Sequence, residues 1–338
     1  MLIQENTSLK KMNTFNIDVS AKYFCVYNQP DQIEEVLSFA SQKKMPLLIL
    51  GGGSNLLFTK NYEGLVVKNE LKGIECIAED ESFVYLKASA GESWHQFVLY
   101  CIDHQYGGVE NLALIPGMVG ATPMQNIGAY GVEIKDVFHE LEAYHLQDKK
   151  KVIFSKQDCM FGYRESIFKN KFKNKFIITS VTYKLSKKPQ FNIAYGAIQQ
   201  ELEKKGVTTL TVNEIAQAVI DIRKSKLPNP EKIGNAGSFF KNPLISAAAF
   251  ESLKTTYPSI TGFGGENGLV KIAAGWLIEQ CGWKGFRKGN TGCYEHQALV
   301  LVNFGNASGE EIYQFSEDII QSVYHKFDIV LEREVNIV

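Results

Sequence analysis

The sequence predicts a protein of two or three domains that combine α-helices with β-strands. Its 338 residues exceed the length of one ordinary domain. The glycine-rich segment Gly51-Gly52-Gly53-Ser54-Asn55 joins one apolar strand to another, whereas a Rossmann unit would join a strand to a helix. A double-proline break at residues 227–230 marks a late boundary. These observations divide the chain into residues 1–69, 70–226 and 227–327.

Each region contains its own periodic segments. Helices are predicted where apolar residues recur every three or four positions after a capping residue, and strands where apolar residues alternate or run together. The predicted elements are a helix starting at Asp31, a strand at 47–50, a strand at 83–88, a helix at 94–101, an amphipathic helix after the capping box at 308–311, and a short strand at 329–331.

Composition excludes several classes of protein. Hydrophobic residues make up 45% and charged residues 22%, so the chain is globular and not disordered. A net charge of -1 excludes a whole-surface field for nucleic acid or an anionic membrane. The chain contains neither an apolar run of about 20 residues nor an apolar signal segment. Six scattered cysteines without a C-x-x-C pair indicate reduced thiols and no metal site. We therefore expect a cytoplasmic protein with no nucleic-acid partner and no membrane insertion.

The glycine segment is the first candidate site. Consecutive backbone N–H groups without Cβ atoms can form a nest for phosphate. The dinucleotide motif G-x-G-x-x-G fails because Leu56 occupies the third glycine position, and no G-K-[ST] follows. A tight β-turn with no ligand explains the segment equally well.

A second candidate is the loop from Ile115 to Gly131, which is rich in glycine, alanine and proline. Small residues would let a planar or phosphorylated ligand lie against the backbone. Thr122, Gln125 and Asn126 could then supply hydrogen bonds. The alternative is an irregular loop that packs on the core.

Two shorter motifs contain polar groups suited to chemistry. In Gly162-Tyr163-Arg164-Glu165, the guanidinium could bind a carboxylate or phosphate bidentately, or form an internal bridge to Glu165. In Gly237-Ser238-Phe239-Phe240, the elbow motif G-x-S-x-G fails at its last position. No histidine lies in a triad context, so Ser238 is a proton donor or a turn residue.

These segments together resemble the UDP-N-acetylenolpyruvoylglucosamine reductase family. The resemblance covers nearly the whole chain, from Asn13-Thr14-Phe15 to the last residues. It rests on the order of four motifs along the chain: Leu50 to Asn55, Ile115 to Gly131, Gly162 to Arg164, and Gly237 to Pro243. Ala194-Tyr195-Gly196 and the insertion after it resemble the longer, tyrosine-loop class of the family.

The resemblance implies an α+β protein of three domains. Two would form an FAD-binding pair of the vanillyl-alcohol-oxidase (PCMH) type, with the C-terminal strand 328–338 joined to residues 70–226. The third would bind a UDP-sugar. The implied reaction is reduction of the enolpyruvyl group of a UDP-sugar by NADPH through non-covalent FAD, with hydride passing from flavin N5 to C3. The protein would act in peptidoglycan precursor synthesis, and we expect a monomer.

The resemblance also assigns residue roles. Ser238 would donate a proton to C2, Arg164 would bind the substrate carboxylate, and Glu334 would act at the same carboxylate. The implied cofactor-binding residues are Gly51, Gly52, Gly53, Ser54, Asn55, Pro116, Gly117, Thr122, Gln125 and Gly128. The implied substrate-binding residues are Tyr130, Tyr195, Lys226, Asn242 and Gln297.

Two other functions stay open from the residues. One is an FAD-dependent oxidase of the same fold, although such enzymes often tether FAD through histidine or cysteine, and no histidine lies near the glycine segments. The other is a non-catalytic UDP-sugar- or flavin-binding protein. The chain also departs from the family pattern after Glu334-Val335, because Asn336 stands where arginine is common.

Overall fold

The computed structural model describes residues 1–265 and 268–338. The strands are β1 (Ile3–Ser8), β2 (Ser20–Tyr27), β3 (Leu47–Leu50), β4 (Leu56–Leu57), β5 (Tyr62–Asn69), β6 (Ile74–Glu79), β7 (Phe83–Ser89), β8 (Gly128–Ala129), β9 (Val132–Glu133), β10 (Phe138–His145), β11 (Lys150–Ser155), β12 (Phe176–Ser186), β13 (Gly234–Ser238), β14 (Leu244–Ser246), β15 (Gly262–Gly264), β16 (Leu269–Ile272), β17 (Arg287–Lys288), β18 (Thr291–Tyr294), β19 (Gln297–Asn303) and β20 (Asn336–Ile337). The α-helices are α1 (Gln32–Lys43), α2 (Trp94–Asp103), α3 (Ile134–Val137), α4 (Gly196–Lys204), α5 (Val212–Lys226), α6 (Ala247–Thr256), α7 (Ala274–Gln280) and α8 (Gly309–Phe327).

The chain divides into two compact units. The first comprises Met1–Thr7, Ala21–Gly52 and Glu63–Ser225, and the second comprises Ser8–Ser20, Gly53–Tyr62 and Lys226–Val338. Residues 8–20 and 53–62 therefore belong with the C-terminal region, and not with residues 1–69 as we expected. Backbone bonds explain the difference, because Asn235 N donates to Thr14 O at 2.9 Å.

The first unit contains two sheets with separate apolar clusters. Four strands follow the order β1-β2-β5-β3, with β3 and β5 parallel. Helix α1 buries Ile33 and Val36 in the cluster beside this sheet. Five antiparallel strands follow the order β11-β10-β12-β7-β6. Their cluster includes Trp94 and Phe97 of α2, which pack on Tyr183 of β12. The division of this unit into two subdomains stays a prediction, and the two clusters support it.

The second unit is built on the antiparallel sheet β13-β19-β18-β17 and the smaller sheet β14-β16-β15. Strand β19 buries Val300 and Val302, and α8 buries Phe315 and Ile319 on its apolar face. The capping box of α8 is formed, since Ser308 Oγ accepts from Glu311 N at 3.1 Å. Strand β20 pairs in parallel with β4.

Most predicted elements are confirmed, including α1, α2, α8, β3 and β7, and the glycine segment joins β3 to β4. The predicted strand at 329–331 is wrong. Ile329 and Leu331 are buried and Val330 is 68% exposed, so the side chains alternate as in a strand. The backbone there is extended without belonging to a ladder, and its first bridge joins Phe240 to Arg333. The C-terminal strand pairs with Leu56–Leu57, and not with residues 70–226 as we expected.

Candidate functional site

In the first unit, the start of the glycine segment packs against the loop that follows Ile115. A Cβ atom on Gly52 would lie 3.1 Å from Gly117 Cα, and one on Gly51 would lie 3.4 Å from Met118 Cγ. Gly117 has a φ of 122°, which favours glycine. The two backbones therefore approach each other closely because side chains are absent. Such bare backbone is the surface that a phosphate or a planar ring can lie against.

In the second unit, the end of the glycine segment fixes the C-terminal segment. Gly53 has a φ of 62°, and a Cβ atom there would lie 2.0 Å from Met12 O, so only glycine fits. Asn55 O accepts from Asn336 N at 3.2 Å, and Asn55 Nδ2 donates to Glu334 O at 3.4 Å. Asn55 thus holds the backbone of the predicted catalytic glutamate.

Ser238 lies at an irregularity in β13. The register of β13 with β19 shifts between Asn235 and Ser238, and Gly237 N donates to Asn235 Oδ1 at 3.0 Å. The shift turns Ser238 outward and leaves it exposed, whereas Phe239 is buried. Glu334 N donates to Phe239 O at 2.8 Å. The serine and the half-buried glutamate therefore lie on neighbouring extended segments.

Ion pairs of the two residues before Glu334 hold this segment in place. Lys241 is 7% exposed, and its Nζ lies 2.5 Å from Glu332 Oε1. Arg333 Nη2 lies 2.7 Å from Glu317 Oε1 on α8. The residues before Glu334 are thus tied both to the segment after Ser238 and to the longest helix of this unit.

Asn242 and Gln297 converge at the start of α7. Asn242 Oδ1 accepts from Ala274 N at 2.9 Å, and a Cβ atom on Gly275 would lie 3.0 Å from Gln297 Oε1. Both side chains are half-buried. Lys226 is the last residue of α5 and is exposed. The structure thus brings two of the predicted substrate-binding residues of this unit together.

Arg164 sits in a tight turn of the first unit. Gly162 and Glu165 exchange backbone bonds of 3.1 and 3.2 Å, and Arg164 has a φ of 55°. Its Nη2 donates to Gly128 O at 2.8 Å. Asn126 is fully buried, and its Nδ2 donates to Gly162 O at 3.0 Å. Residues 126–128 thus hold both the turn and the guanidinium.

Tyr130 and Tyr195 form an aromatic pair in the first unit. Their ring centroids are 5.3 Å apart and the rings are nearly perpendicular, at 88°. Burial raises the pKa of Tyr130, while the charge of Arg223 acts in the opposite direction. Burial lowers the pKa of Arg223, and the like charge of Arg164 adds to this effect. Two guanidinium groups and a phenol are therefore close enough to influence one another.

The expected contact of the Thr122 hydroxyl with a cofactor is not supported. Thr122 is 2% exposed, its Oγ1 donates to Val119 O at 2.8 Å, and Tyr183 Oη lies 2.7 Å away. The hydroxyl is therefore used inside the protein, where it supports the loop. Gln125 is half-buried and Pro116 is exposed, so both stay accessible.

Three polar residues near Tyr130 were missed as candidate site residues in the sequence analysis. They are Arg223, Asn111 and Asn192. For Arg223 a signal existed, because the residue lies four positions after Val219 on the buried face of α5. For the two asparagines no local signal existed, since their partners lie far along the chain. Within residues 1–265 and 268–338, we find no cluster of three or more potential metal ligands and no helix apolar and long enough to cross a bilayer.

Family models match two parts of the chain. The C-terminal domain of UDP-N-acetylenolpyruvoylglucosamine reductase matches residues 229–338, and an FAD binding domain matches residues 21–148. The UDP-N-acetylenolpyruvoylglucosamine reductase of Flavobacterium johnsoniae is 48% identical over 339 residues, with both chains covered completely. That of Amoebophilus asiaticus is 46% identical over 338 residues, again with complete coverage of both chains.

Solved structures show the same fold. The structure of UDP-N-acetylenolpyruvylglucosamine reductase from Thermus caldophilus superposes with a TM-score of 0.66 at 22% identity, covering 99% of each chain. A vanillyl-alcohol-oxidase-type flavoprotein from Myceliophthora thermophila gives a TM-score of 0.50 at 13% identity, covering 91% of this chain and 70% of that one. The predicted α+β fold with a flavoprotein-type FAD-binding part is therefore confirmed.

Proposed function

We propose that the chain, which belongs to the UDP-N-acetylenolpyruvoylglucosamine reductase family, reduces the enolpyruvyl group of UDP-N-acetylglucosamine enolpyruvate with NADPH. The product would be UDP-N-acetylmuramate, for peptidoglycan precursor synthesis. NADPH provides the hydride and a protein group provides the proton, so the carbon–carbon double bond gains two hydrogens. The cytoplasmic location and monomeric state stay predictions from the sequence.

The chain is an FAD-dependent oxidoreductase, and its own residues fit that cofactor. The absence of side chains at Gly51, Gly52 and Gly117 lets the two loops pack together, and backbone N–H groups of such glycine loops can bind a pyrophosphate. Bound FAD supplies the chemistry of accepting hydride from NADPH and passing it to substrate carbon C3. The other proposed cofactor-binding residues are Gly53, Ser54 and Asn55 of the glycine segment and Pro116, Gln125 and Gly128 of the loop after Ile115.

Ser238 and Glu334 carry the proposed proton chemistry. Ser238 donates a proton to C2 after C3 receives hydride. A serine hydroxyl is a weak acid, so a charge that develops next to it must be stabilised as the proton leaves. Glu334 acts at the substrate carboxylate, where the negative charge of the enolate accumulates.

The other proposed residues bind and orient the substrate. Arg164 pairs with the substrate carboxylate, because a guanidinium offers two parallel N–H donors. Tyr130 and Tyr195 provide an aromatic wall and two hydroxyl groups. The remaining proposed contacts are with the diphosphate and the sugar, and they come from Lys226, Asn242 and Gln297.

One observation supports this assignment above the others. The Glu334 N to Phe239 O bond of 2.8 Å supports it, because it holds the backbone of Glu334 against that of the residue after Ser238. Ser238 and Glu334 are almost one hundred positions apart in sequence, and the proposal assigns them to substrate C2 and to the carboxylate bonded to it.

Turnover with product detection tests the proposal. Purified protein with FAD, kept anaerobic, should oxidise NADPH beyond one equivalent per flavin only when the enolpyruvyl UDP-sugar is present, and mass spectrometry should find a product two hydrogens heavier. An oxidase would instead consume oxygen with an alcohol or amine and ignore the sugar. Binding of UDP-sugar without NADPH oxidation would favour the non-catalytic alternative.

A further inference from the structure

Side-chain amides surround the Tyr130–Tyr195 pair, and the proposed chemistry does not use them. Asn111 Nδ2 donates to Tyr130 O at 2.9 Å and to Asn192 O at 2.8 Å. Asn192 Nδ2 donates to Gly131 O at 3.1 Å. We call Asn111, Asn192 and the turn residues Tyr130 and Gly131 the amide clasp. Three hydrogen bonds of the clasp join segments that are far apart in sequence.

The turn of the clasp has an unfavourable backbone conformation for tyrosine. Ala129 and Val132 are paired across the β8–β9 hairpin, so Tyr130 and Gly131 form its two-residue turn. Their φ angles are 49° and 81°, as in a type I′ turn. A tyrosine in the left-handed region is disfavoured unless its surroundings hold it there. The bond from Asn111 to Tyr130 O stabilises the conformation that presents the ring.

Glycine at position 131 is required by the clasp itself. A Cβ atom there would lie 3.0 Å from Asn192 Nδ2, which is closer than nearly all real contacts of this kind. The absence of a side chain therefore lets the Asn192 amide reach the turn. The contact between Gly131 and Asn192 therefore depends on glycine, because a larger residue at position 131 would displace the amide.

Burial of Asn111 gives the clasp its strength. The Asn111 side chain is completely buried, with 0% exposure. A buried amide N–H that loses its acceptor pays the cost of desolvation without compensation. Release of either Tyr130 or Asn192 would leave such a donor unpaired. Loss of either contact therefore costs free energy.

The segment that contains Asn192 leads directly to Tyr195. Phe191 and Ile193 pack against the larger apolar cluster of the first unit, which places Asn192 on the opposite side of an extended segment. Tyr195 follows three residues later as the N-cap of α4 and is 49% exposed. The anchor at Asn192 thus limits how far Tyr195 can move from Tyr130.

We propose that Asn111 and Asn192 are positioning residues that hold Tyr195 ready for the UDP-sugar. The inference rests on the proposed function, since it takes the sugar nucleotide as the ligand of Tyr195. Neither asparagine needs to touch the ligand. Both act through the tyrosine, so loosening the clasp weakens sugar binding and leaves the reduction of FAD by NADPH intact.

A double-mutant cycle tests this coupling. Asn192→Ala should raise KM for the enolpyruvyl UDP-sugar about fivefold, as expected for one lost hydrogen bond, with kcat within about twofold of wild type. In the Tyr195→Ala background the same change should add nothing, because its effect passes through Tyr195. An unchanged KM, or a full and independent effect in that background, would overturn the proposal.

Hydrogen exchange on the free protein provides a readout that does not depend on activity. Asn192→Ala should speed exchange of the backbone amides of residues 190–196, and unchanged exchange would show that the clasp does not hold them. Gln199→Ala is the matched control, since Gln199 is an exposed amide of α4 bonded to Glu203 in the same helix. If the wild-type protein does not reduce the enolpyruvyl UDP-sugar, the proposed function is refuted. The hydrogen-exchange result would still show whether the amide clasp holds the segment around Asn192.

Discussion

At the scale of single residues, Ser238 separates the two halves of the proposed reaction. Its exposed hydroxyl is needed only when the substrate carbon takes a proton. Ser238→Ala should leave reduction of FAD by NADPH within about twofold of wild type and slow reoxidation by the enolpyruvyl sugar by about 10²–10⁴-fold. Stopped-flow absorbance on each half-reaction measures both rates.

The matched control for this variant is Ser246→Ala. Ser246 Oγ accepts from Ala249 N at the start of α6, so its loss costs about 1 kcal/mol of stability without affecting chemistry. Equal slowing of both half-reactions in Ser238→Ala would refute the proton-donor role.

Arg164 is expected to act on binding and on rate together. In the proposed reaction its guanidinium meets the carboxylate in the ground state and the enolate charge as it develops. Arg164→Ala should lower kcat/KM by about 10²–10³-fold, with a higher KM and a lower kcat. Steady-state kinetics and sugar binding followed by calorimetry measure the two contributions.

Lys173→Ala serves as the control for the removed charge, because Lys173 is an exposed cation nine residues further along the chain. Kinetics like those of the wild type in Arg164→Ala would instead indicate that the arginine only stabilises the loop through Gly128.

At the scale of elements, the packing of the glycine segment on the loop at Gly117 predicts that a side chain at Gly52 weakens FAD binding. Gly52→Ala would place a methyl group 3.1 Å from Gly117 Cα and push the loops apart. We expect FAD to bind about tenfold more weakly, as judged by flavin released on gel filtration and by titration of the apoprotein. Gly196→Ala is the control, because nothing lies within 4 Å of a Cβ atom there. Equal FAD affinity in both variants would argue against the proposed cradle.

The elements that the sequence predicts well are those whose signals are local. The capping box at Ser308 and the apolar repeat after it define α8 correctly. The glycine segment between two strands likewise separates this fold from a Rossmann unit. The wrong prediction of a strand at residues 329–331 also follows from relying on local signals. The side chains there alternate between buried and exposed as in a strand, but whether another strand pairs with the segment depends on distant residues.

Contacts across long sequence distances were beyond prediction from local patterns. Asn55 and Glu334 are 279 residues apart, and Asn111 and Asn192 are 81 residues apart. Thr122 illustrates the limit for site residues. Its place in a small-residue loop suggested a ligand contact, and only the structure shows its hydroxyl near Tyr183.

At the scale of the whole molecule, one buried carboxyl predicts how stability depends on pH. Glu110 is 4% exposed, and burial raises its pKa although backbone N–H groups partly compensate. Because the folded-state pKa lies above that of the unfolded chain, the unfolded chain loses this proton first. The contribution of Glu110 to stability is therefore present at low pH and is lost as pH rises through the folded-state pKa.

Glu110→Gln removes this dependence. The neutral side chain can still accept from Gly108 N, which now donates to Glu110 Oε2 at 2.5 Å. We expect the variant to gain stability relative to wild type as pH rises from about 5 to 8. Urea denaturation at both pH values measures the difference, and parallel curves for the two proteins would contradict it.

The net charge of -1 shows that binding of an anionic sugar nucleotide must depend on local groups. Arg164 and Lys226 are the cations among the proposed substrate-binding residues. We propose that one chain accepts reducing equivalents from NADPH and passes them to the enolpyruvyl sugar through FAD.

An anaerobic visible absorption titration of the purified protein tests that claim most directly. We predict flavin bands that bleach when NADPH is added and return when the enolpyruvyl UDP-sugar follows. Bands that bleach and then ignore the sugar, or a protein that cannot be loaded with FAD, would contradict it.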